Sequence, residues 1–143
     1  MRLGVDFGGT KIEAALLDSD GEIRVRQRVP NPGNYAAAVR AVADLSQRVA
    51  QEGGVDIKTI GVGMPGSLSP ATGLMRNANS VWLNGKPFYQ DLKQALGKPL
   101  RMENELGVLP GAKSERRGGS RRMCVVSSTK SSCMLSPSKY HAA

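Results

Sequence analysis

The chain has 143 residues, 20 Lys+Arg against 12 Asp+Glu and a formal net charge of +8, which is long enough for one domain with a buried core. The charge is uneven: residues 1–104 carry 13 basic and 10 acidic side chains, residues 105–143 carry 7 and 2. Cys124, Cys133 and the sole histidine, His141, also lie in the second stretch, so a disulfide framework and an imidazole-based site are excluded from the first 104 residues. No run approaches the roughly 18 apolar residues of a membrane span, and the N-terminus lacks the basic-then-apolar layout of a signal peptide. A soluble cytoplasmic protein is the expectation.

In chain order, residues 1–7 read as a buried strand with Leu3, Val5 and Phe7 on one face. It runs directly into Gly8-Gly9-Thr10-Lys11. Glycines free the backbone to turn its N–H groups outward, Thr10 adds a hydroxyl donor and Lys11 a charge, which together suit phosphate oxygens. Asp6 at the strand's end is placed to hold Mg²⁺ directly or through water. A second strand is predicted over 12–17, a turn at Asp18-Ser-Asp-Gly21, and a third strand over 22–29, giving an antiparallel meander. Asn31-Pro-Gly-Asn34 breaks the chain. Residues 35–52 then read as an amphipathic helix through Val39, Val42, Leu45 and Val49, stopped at Gly53-Gly54.

A fourth strand is expected over 59–64, short and apolar between glycines as a central parallel strand should be. A turn-rich loop follows, then a strand over 74–79, a short helix over 88–96 and a fifth strand of the main sheet over 99–103. The order predicts an α/β domain with a mixed sheet. Residues 112–139 hold eight serines and two arginine doublets without a period of 2 or 3.6, with Val125-Val126 the one short apolar run, which predicts an irregular, poorly packed tail.

Two familiar glycine signatures fail on context. Asp6-Phe7-Gly8 spells a protein-kinase tripeptide, but no strand lysine or His-Arg-Asp loop precedes it. Gly61-Val-Gly-Met-Pro-Gly66 fits the dinucleotide spacing, but Pro65 and the turn residues after it argue against the helix that motif needs.

Strand, Asp-x-Gly-Gly-Thr-Lys, strand is instead the layout of the phosphate loop of the actin-like (ribonuclease H-like) ATPase and sugar-kinase fold. Val5-Asp-Phe-Gly-Gly-Thr-Lys11, Gly61-Val-Gly-Met-Pro-Gly-Ser67, Asn77-Ala-Asn-Ser-Val-Trp-Leu-Asn-Gly85 and Glu103-Asn104 resemble, in order over residues 1–104, the ROK family of bacterial sugar kinases and repressors. Within it the phrasing is most similar to fructokinases, or manno(fructo)kinases. The resemblance implies an ATP-dependent hexose kinase of carbohydrate metabolism, with ATP and Mg²⁺ as cofactors and fructose favoured as the hexose. It implies that Asp6 organises Mg²⁺ and that Gly8, Gly9, Thr10 and Lys11 contact the ATP phosphates. Gly66 would let the backbone approach the sugar, and Asn79, Glu103 and Asn104 would serve its hydroxyls, with amides suited to both donate and accept. Turn chemistry is the alternative for Asn77, Asn79 and Asn84, and core packing is the expectation for Trp82.

The pattern then departs from the family. Where the motif has Asn-Asp, with the aspartate as general base, Asn104 is followed by Glu105. The extra methylene moves the carboxylate by more than about 1 Å, a misplacement that costs on the order of 10²-fold. The second, ATP-binding domain of an actin-like kinase and the family's zinc segment are expected to have no counterpart, and the homodimer of intact members is not expected to persist. Residues 1–104 are thus expected to be an incomplete N-terminal kinase domain with little activity alone, and 105–143 a basic Ser/Arg-rich tail that is either disordered or translated out of frame after a slip near codon 105. The alternatives are a fragment of a ROK sugar-sensing transcriptional regulator, whose DNA-binding segment would precede the glycine motif, and non-specific nucleic-acid binding through Arg116-Arg117 and Arg121-Arg122.

Overall fold

The structure, a computed structural model, describes residues 1–64 and 66–104 together with the backbone of two strands at 122–127 and 130–135; for residues 103 and 104, too, the description is of the backbone. The chain divides into two compact units, Met1–Glu105 and Leu106–Ala143.

The first unit is a five-stranded mixed sheet. Strands β1 (Arg2–Phe7), β2 (Lys11–Leu17) and β3 (Ile23–Pro30) form the antiparallel meander. Strands β4 (Ile60–Met64) and β7 (Leu100–Asn104) add in parallel on the other side of β1, giving the order β3-β2-β1-β4-β7. The predicted meander, both parallel strands and both helices are present.

Alternation decides which face is buried. Leu3, Val5 and Phe7 of β1, Ile12, Ala14 and Leu16 of β2, and Ile60, Val62 and Met64 of β4 share one face. Helix α1 (Tyr35–Glu52) packs on this face with Ala38, Val42, Leu45 and Val49 buried, and α2 (Phe88–Leu96) adds Phe88 and Leu92 to the same core. The buried stripe of α1 thus includes Ala38, while Val39 is half-buried; a period of 3.6 runs through 38, 42, 45 and 49, and Val39 falls off its edge. Asn34 caps the helix by accepting a 2.9 Å bond from Ala37 N–H, and Gly54 leaves it with a left-handed φ of 62°. At the outer edge, β3 alternates Arg24, Arg26 and Arg28 toward solvent, which protects it from further pairing. Arg24 bonds Asp18 at 2.6 Å and Arg26 bonds Glu13 at 2.6 Å.

The strand expected over 74–79 is shorter than predicted. Only Met75–Arg76 (β6) pairs, with Ser67–Leu68 (β5), because Asn77 adopts a left-handed φ of 55° that ends the extended run. A 3₁₀ turn at Val81–Leu83 follows. No helix follows β4, which removes the dinucleotide reading of Gly61–Gly66.

In the second unit, Arg122–Ser127 (β8) and Lys130–Leu135 (β9) form an antiparallel pair with Cys124 opposite Cys133 in register. Val125-Val126 and the two cysteines are residues that tolerate or favour extended backbone. No helix among the described residues is long and apolar enough to cross a membrane.

Candidate functional site

Strands β1, β4 and β7 are parallel, so their carboxyl ends lie along one edge of the sheet. Asp6 pairs in register with Gly63, and Gly63 with Glu103; one residue on, Met64 pairs with Asn104. The backbone positions of Asp6 and Glu103 are two strand spacings apart, roughly 10 Å. The residue between them on β4 is a glycine without a side chain. The loops that leave this edge are Gly8–Thr10 after β1 and the segment beginning at Gly66 after β4. A crevice at the carboxyl ends of parallel strands is where open α/β sheets bind ligands. Asp6, the glycine turn, Gly66, Glu103 and Asn104 therefore converge on one edge, although they span the whole first unit in sequence.

The turn joins β1 to β2 as a tight hairpin. Gly8 N–H donates to Lys11 C=O at 2.9 Å, so that amide is spent closing the turn rather than turned outward as the sequence suggested. A Cβ on Gly8 would stand 2.7 Å from the same Lys11 oxygen, which is why glycine is needed there. Gly9 is different: nothing lies within 4 Å of where its Cβ would be. The N–H groups of Gly9 and Thr10 have no partner among the described residues. Thr10 is exposed, and Lys11, half-buried at the start of β2, has no carboxylate partner among the described residues. Asp6 is half-buried.

The second loop is built on itself. Gly66 is buried, and a Cβ there would lie 2.6 Å from Arg76 C=O and 3.0 Å from Ala78 N. The close approach that requires this glycine is thus to the chain's own backbone at 76–78. Asn84 spans the same stretch from the other side, accepting from Ala78 N–H at 2.9 Å and donating to Ala78 C=O at 3.3 Å. Between them, Asn79 is exposed and its side chain makes no hydrogen bond among the described residues. The three asparagines therefore divide: Asn77 supplies a left-handed turn, Asn84 a brace, and Asn79 an open amide. Trp82 packs as expected, half-buried, its ring edge-on to Phe7 with centroids 6.2 Å apart.

Glu105, the position of the expected base, lies outside the described residues, as do the arginine pairs Arg116-Arg117 and, for its first member, Arg121-Arg122. One contributor went unread. Asn31, one of the residues that break the chain after β3, donates from its side chain to Gly8 C=O at 2.8 Å and from its backbone to Thr10 C=O at 2.9 Å. Its place one residue beyond a strand paired with β2 was the available signal.

Comparison with known proteins agrees with this geometry. The model of the ROK family matches residues 2–124, further than the four motifs reach. The N-acetyl-D-glucosamine kinase of Haemophilus influenzae is 36% identical over 106 residues, covering 73% of this chain and 34% of that protein. The ROK hexokinase of Thermus thermophilus matches with a TM-score of 0.62 and 32% identity, covering 73% of this chain and 35% of that one. A ROK glucokinase from Streptomyces griseus, solved with glucose and AMPPNP, matches with a TM-score of 0.65 and 27% identity over 73% of this chain and 33% of that one. The chain spans about a third of the length of these relatives. The mixed sheet with its glycine hairpin is the N-terminal part of the actin-like sugar-kinase fold, and the chain belongs to the ROK family.

Proposed function

We propose that residues 1–104 are the sugar-binding and phosphate-loop part of an ATP-dependent hexose kinase. The observation that carries this reading is the convergence of Asp6, the Gly8–Lys11 hairpin, Gly66 and Glu103-Asn104 on the carboxyl edge of β1, β4 and β7. Phosphoryl transfer asks mainly for positioning and for donors where charge collects. The N–H groups of Gly9 and Thr10, the Thr10 hydroxyl and the Lys11 ammonium are donors of that kind on one turn. The amide of Asn79 would hold a sugar hydroxyl on the neighbouring loop. A Mg²⁺ ion is commonly held by one or two carboxylates together with the phosphates, and Asp6 fits as one such carboxylate directly before the turn. Bound there, the ion would neutralise charge on the phosphates.

The substrate class is a hexose or N-acetylhexosamine: the relatives are an N-acetyl-D-glucosamine kinase and a glucokinase by name, while the Asn77–Gly85 phrasing favours fructose. The base that deprotonates the attacking hydroxyl is assigned to Glu105, one methylene longer than the aspartate usual there. Because the chain spans about a third of its relatives, we assign the activity to the whole enzyme and expect the 143 residues alone to turn over far more slowly. The test is a phosphorylation assay with fructose, glucose, mannose and N-acetylglucosamine, run on this chain and on a chimera joining residues 1–104 to the remainder of the Haemophilus influenzae kinase. The chimera is expected to phosphorylate at least one of these sugars and to lose this with Asp6→Ala. A folded chimera inactive on all four contradicts the reading.

A further inference from the structure

We propose that Asn31 is a positioning residue that aims the amides of the glycine hairpin at phosphate; this rests on the phosphate-loop reading above and assigns the group that makes it rigid. Two adjacent glycines give a turn little conformational preference of its own. A flexible turn would lose entropy on binding and hold its donors poorly. Across the turn, Gly8 N–H to Lys11 C=O is the one backbone bond among the described residues outside the strand ladders that joins residues 8–11 to each other. Asn31 supplies the rest from outside.

The geometry points to a specific consequence. The side-chain amide of Asn31 donates to Gly8 C=O at 2.8 Å and its backbone N–H to Thr10 C=O at 2.9 Å, so both carbonyls are turned toward Asn31. The peptides are trans, and in a trans unit the carbonyl and the next residue's N–H point in opposite directions. Holding Gly8 C=O therefore sends Gly9 N–H away from Asn31, and holding Thr10 C=O sends Lys11 N–H the same way. The two oxygens that would repel a phosphate are thereby turned toward Asn31 and the N–H groups of Gly9 and Lys11 away from it, and nothing lies within 4 Å of where a Gly9 Cβ would be. The side-chain amide of Asn31 is itself oriented, because its oxygen accepts from Gly33 N–H at 3.1 Å. That third bond makes Asn31 a fixed bracket rather than a mobile side chain, and it links the hairpin to the segment that opens α1.

The test is a titration of the full 143-residue chain, labelled with ¹⁵N, with inorganic tripolyphosphate and Mg²⁺, followed at the Gly9 and Lys11 amides. The wild type is expected to show saturable shifts at both. Asn31→Ala is expected to bind about tenfold more weakly, the order of one net hydrogen bond's worth of organisation, with a melting temperature shift too small to account for it. Asn31→Ser, whose hydroxyl can donate to Gly8 C=O, is expected to recover part of the loss. Equal binding by the wild type and Asn31→Ala overturns the role of Asn31 while leaving the phosphate loop intact. An absence of shifts in the wild type overturns the phosphate-loop reading and this role with it. If Asn31→Ala does not fold, Asn31→Asp keeps the acceptor for Gly33 and removes only the donor; comparing two salt concentrations separates its added charge, and wild-type affinity at high salt overturns the proposal.

Discussion

Phe7 and Trp82 meet edge to face, their ring centroids 6.2 Å apart and their planes at 65°. Phe7 is the last residue before the glycine hairpin and Trp82 follows Asn79 by three, so one aromatic contact ties the proposed phosphate loop to the proposed sugar loop. Phe88 of α2 extends it, with its ring 5.1 Å from Phe7. Trp82→Ala is expected to cost about 2 kcal/mol, less than for a fully buried tryptophan because the ring is half-exposed. Chemical denaturation measures this. Trp82 is the single tryptophan of the chain, so its fluorescence in the wild type should respond to a bound hexose.

Gly9 and Gly66 predict opposite effects of the same substitution. Gly66→Ala drives a methyl against Arg76 C=O at 2.6 Å and Ala78 at 3.0 Å, both backbone, and is expected to destabilise by about 1–3 kcal/mol. Gly9→Ala meets nothing within 4 Å and should change stability by no more than about 0.5 kcal/mol, while its methyl occupies the space offered to phosphate. Melting temperatures and tripolyphosphate binding, measured on both variants, should separate the two.

Asn84→Ala removes both bonds to Ala78. The Ala78 peptide is buried beneath Gly66, so the expected cost is about 1–2 kcal/mol. Hexose affinity should fall with it, since Asn79 is the next residue. Asn84→Asp keeps the acceptor for Ala78 N–H and is expected to recover part of the stability. An Asn84→Ala variant with wild-type stability would show that these bonds merely replace water.

Tyr35 on α1 donates its hydroxyl to Asp91 on α2 at 2.5 Å. Burial, and then the neighbouring Asp91 carboxylate, hold the Tyr35 hydroxyl well above the ordinary phenol range. In the unfolded chain a tyrosine ionises near pH 10; in the folded chain this one stays protonated. Its contribution to stability is therefore complete below about pH 10 and declines as the pH rises beyond that value toward the folded-state one. Tyr35→Phe is expected to lose about 1 kcal/mol at neutral pH. The gap between the two proteins should narrow above about pH 10, which parallel denaturation at pH 7 and pH 10.5 checks.

The first 104 residues were legible because their patterns are local. Alternation marked β1 and β4, and α1 and α2 fall at the predicted 35–52 and 88–96 because their ends are set by Asn34, Gly53-Gly54 and Gly97. Asp6, Gly66 and Glu103 could be associated only through the resemblance, since it is the parallel pairing of β1, β4 and β7 that brings them to one edge. What stayed hidden were contacts across the sequence. Asn31 reaches back 23 residues to Gly8, and no local pattern distinguishes that amide from an ordinary turn residue. Likewise, no local pattern shows that the need for glycine at 66 is steric and comes from the backbone of residues 76–78. At 122–135 two strands pair where the sequence shows no clear period of 2.

The central claim is that the carboxyl edge of β1, β4 and β7 holds a nucleotide's phosphates beside a sugar. It is tested most directly by ¹⁵N amide mapping of the 143-residue chain, titrated first with Mg²⁺-ATP and then with a hexose. The account predicts that Mg²⁺-ATP shifts the amides of Gly8 to Lys11, and that the hexose shifts Asn79 and the Trp82 indole. Shifts confined to other surfaces, or a folded chain that responds to neither ligand at these residues, would contradict it.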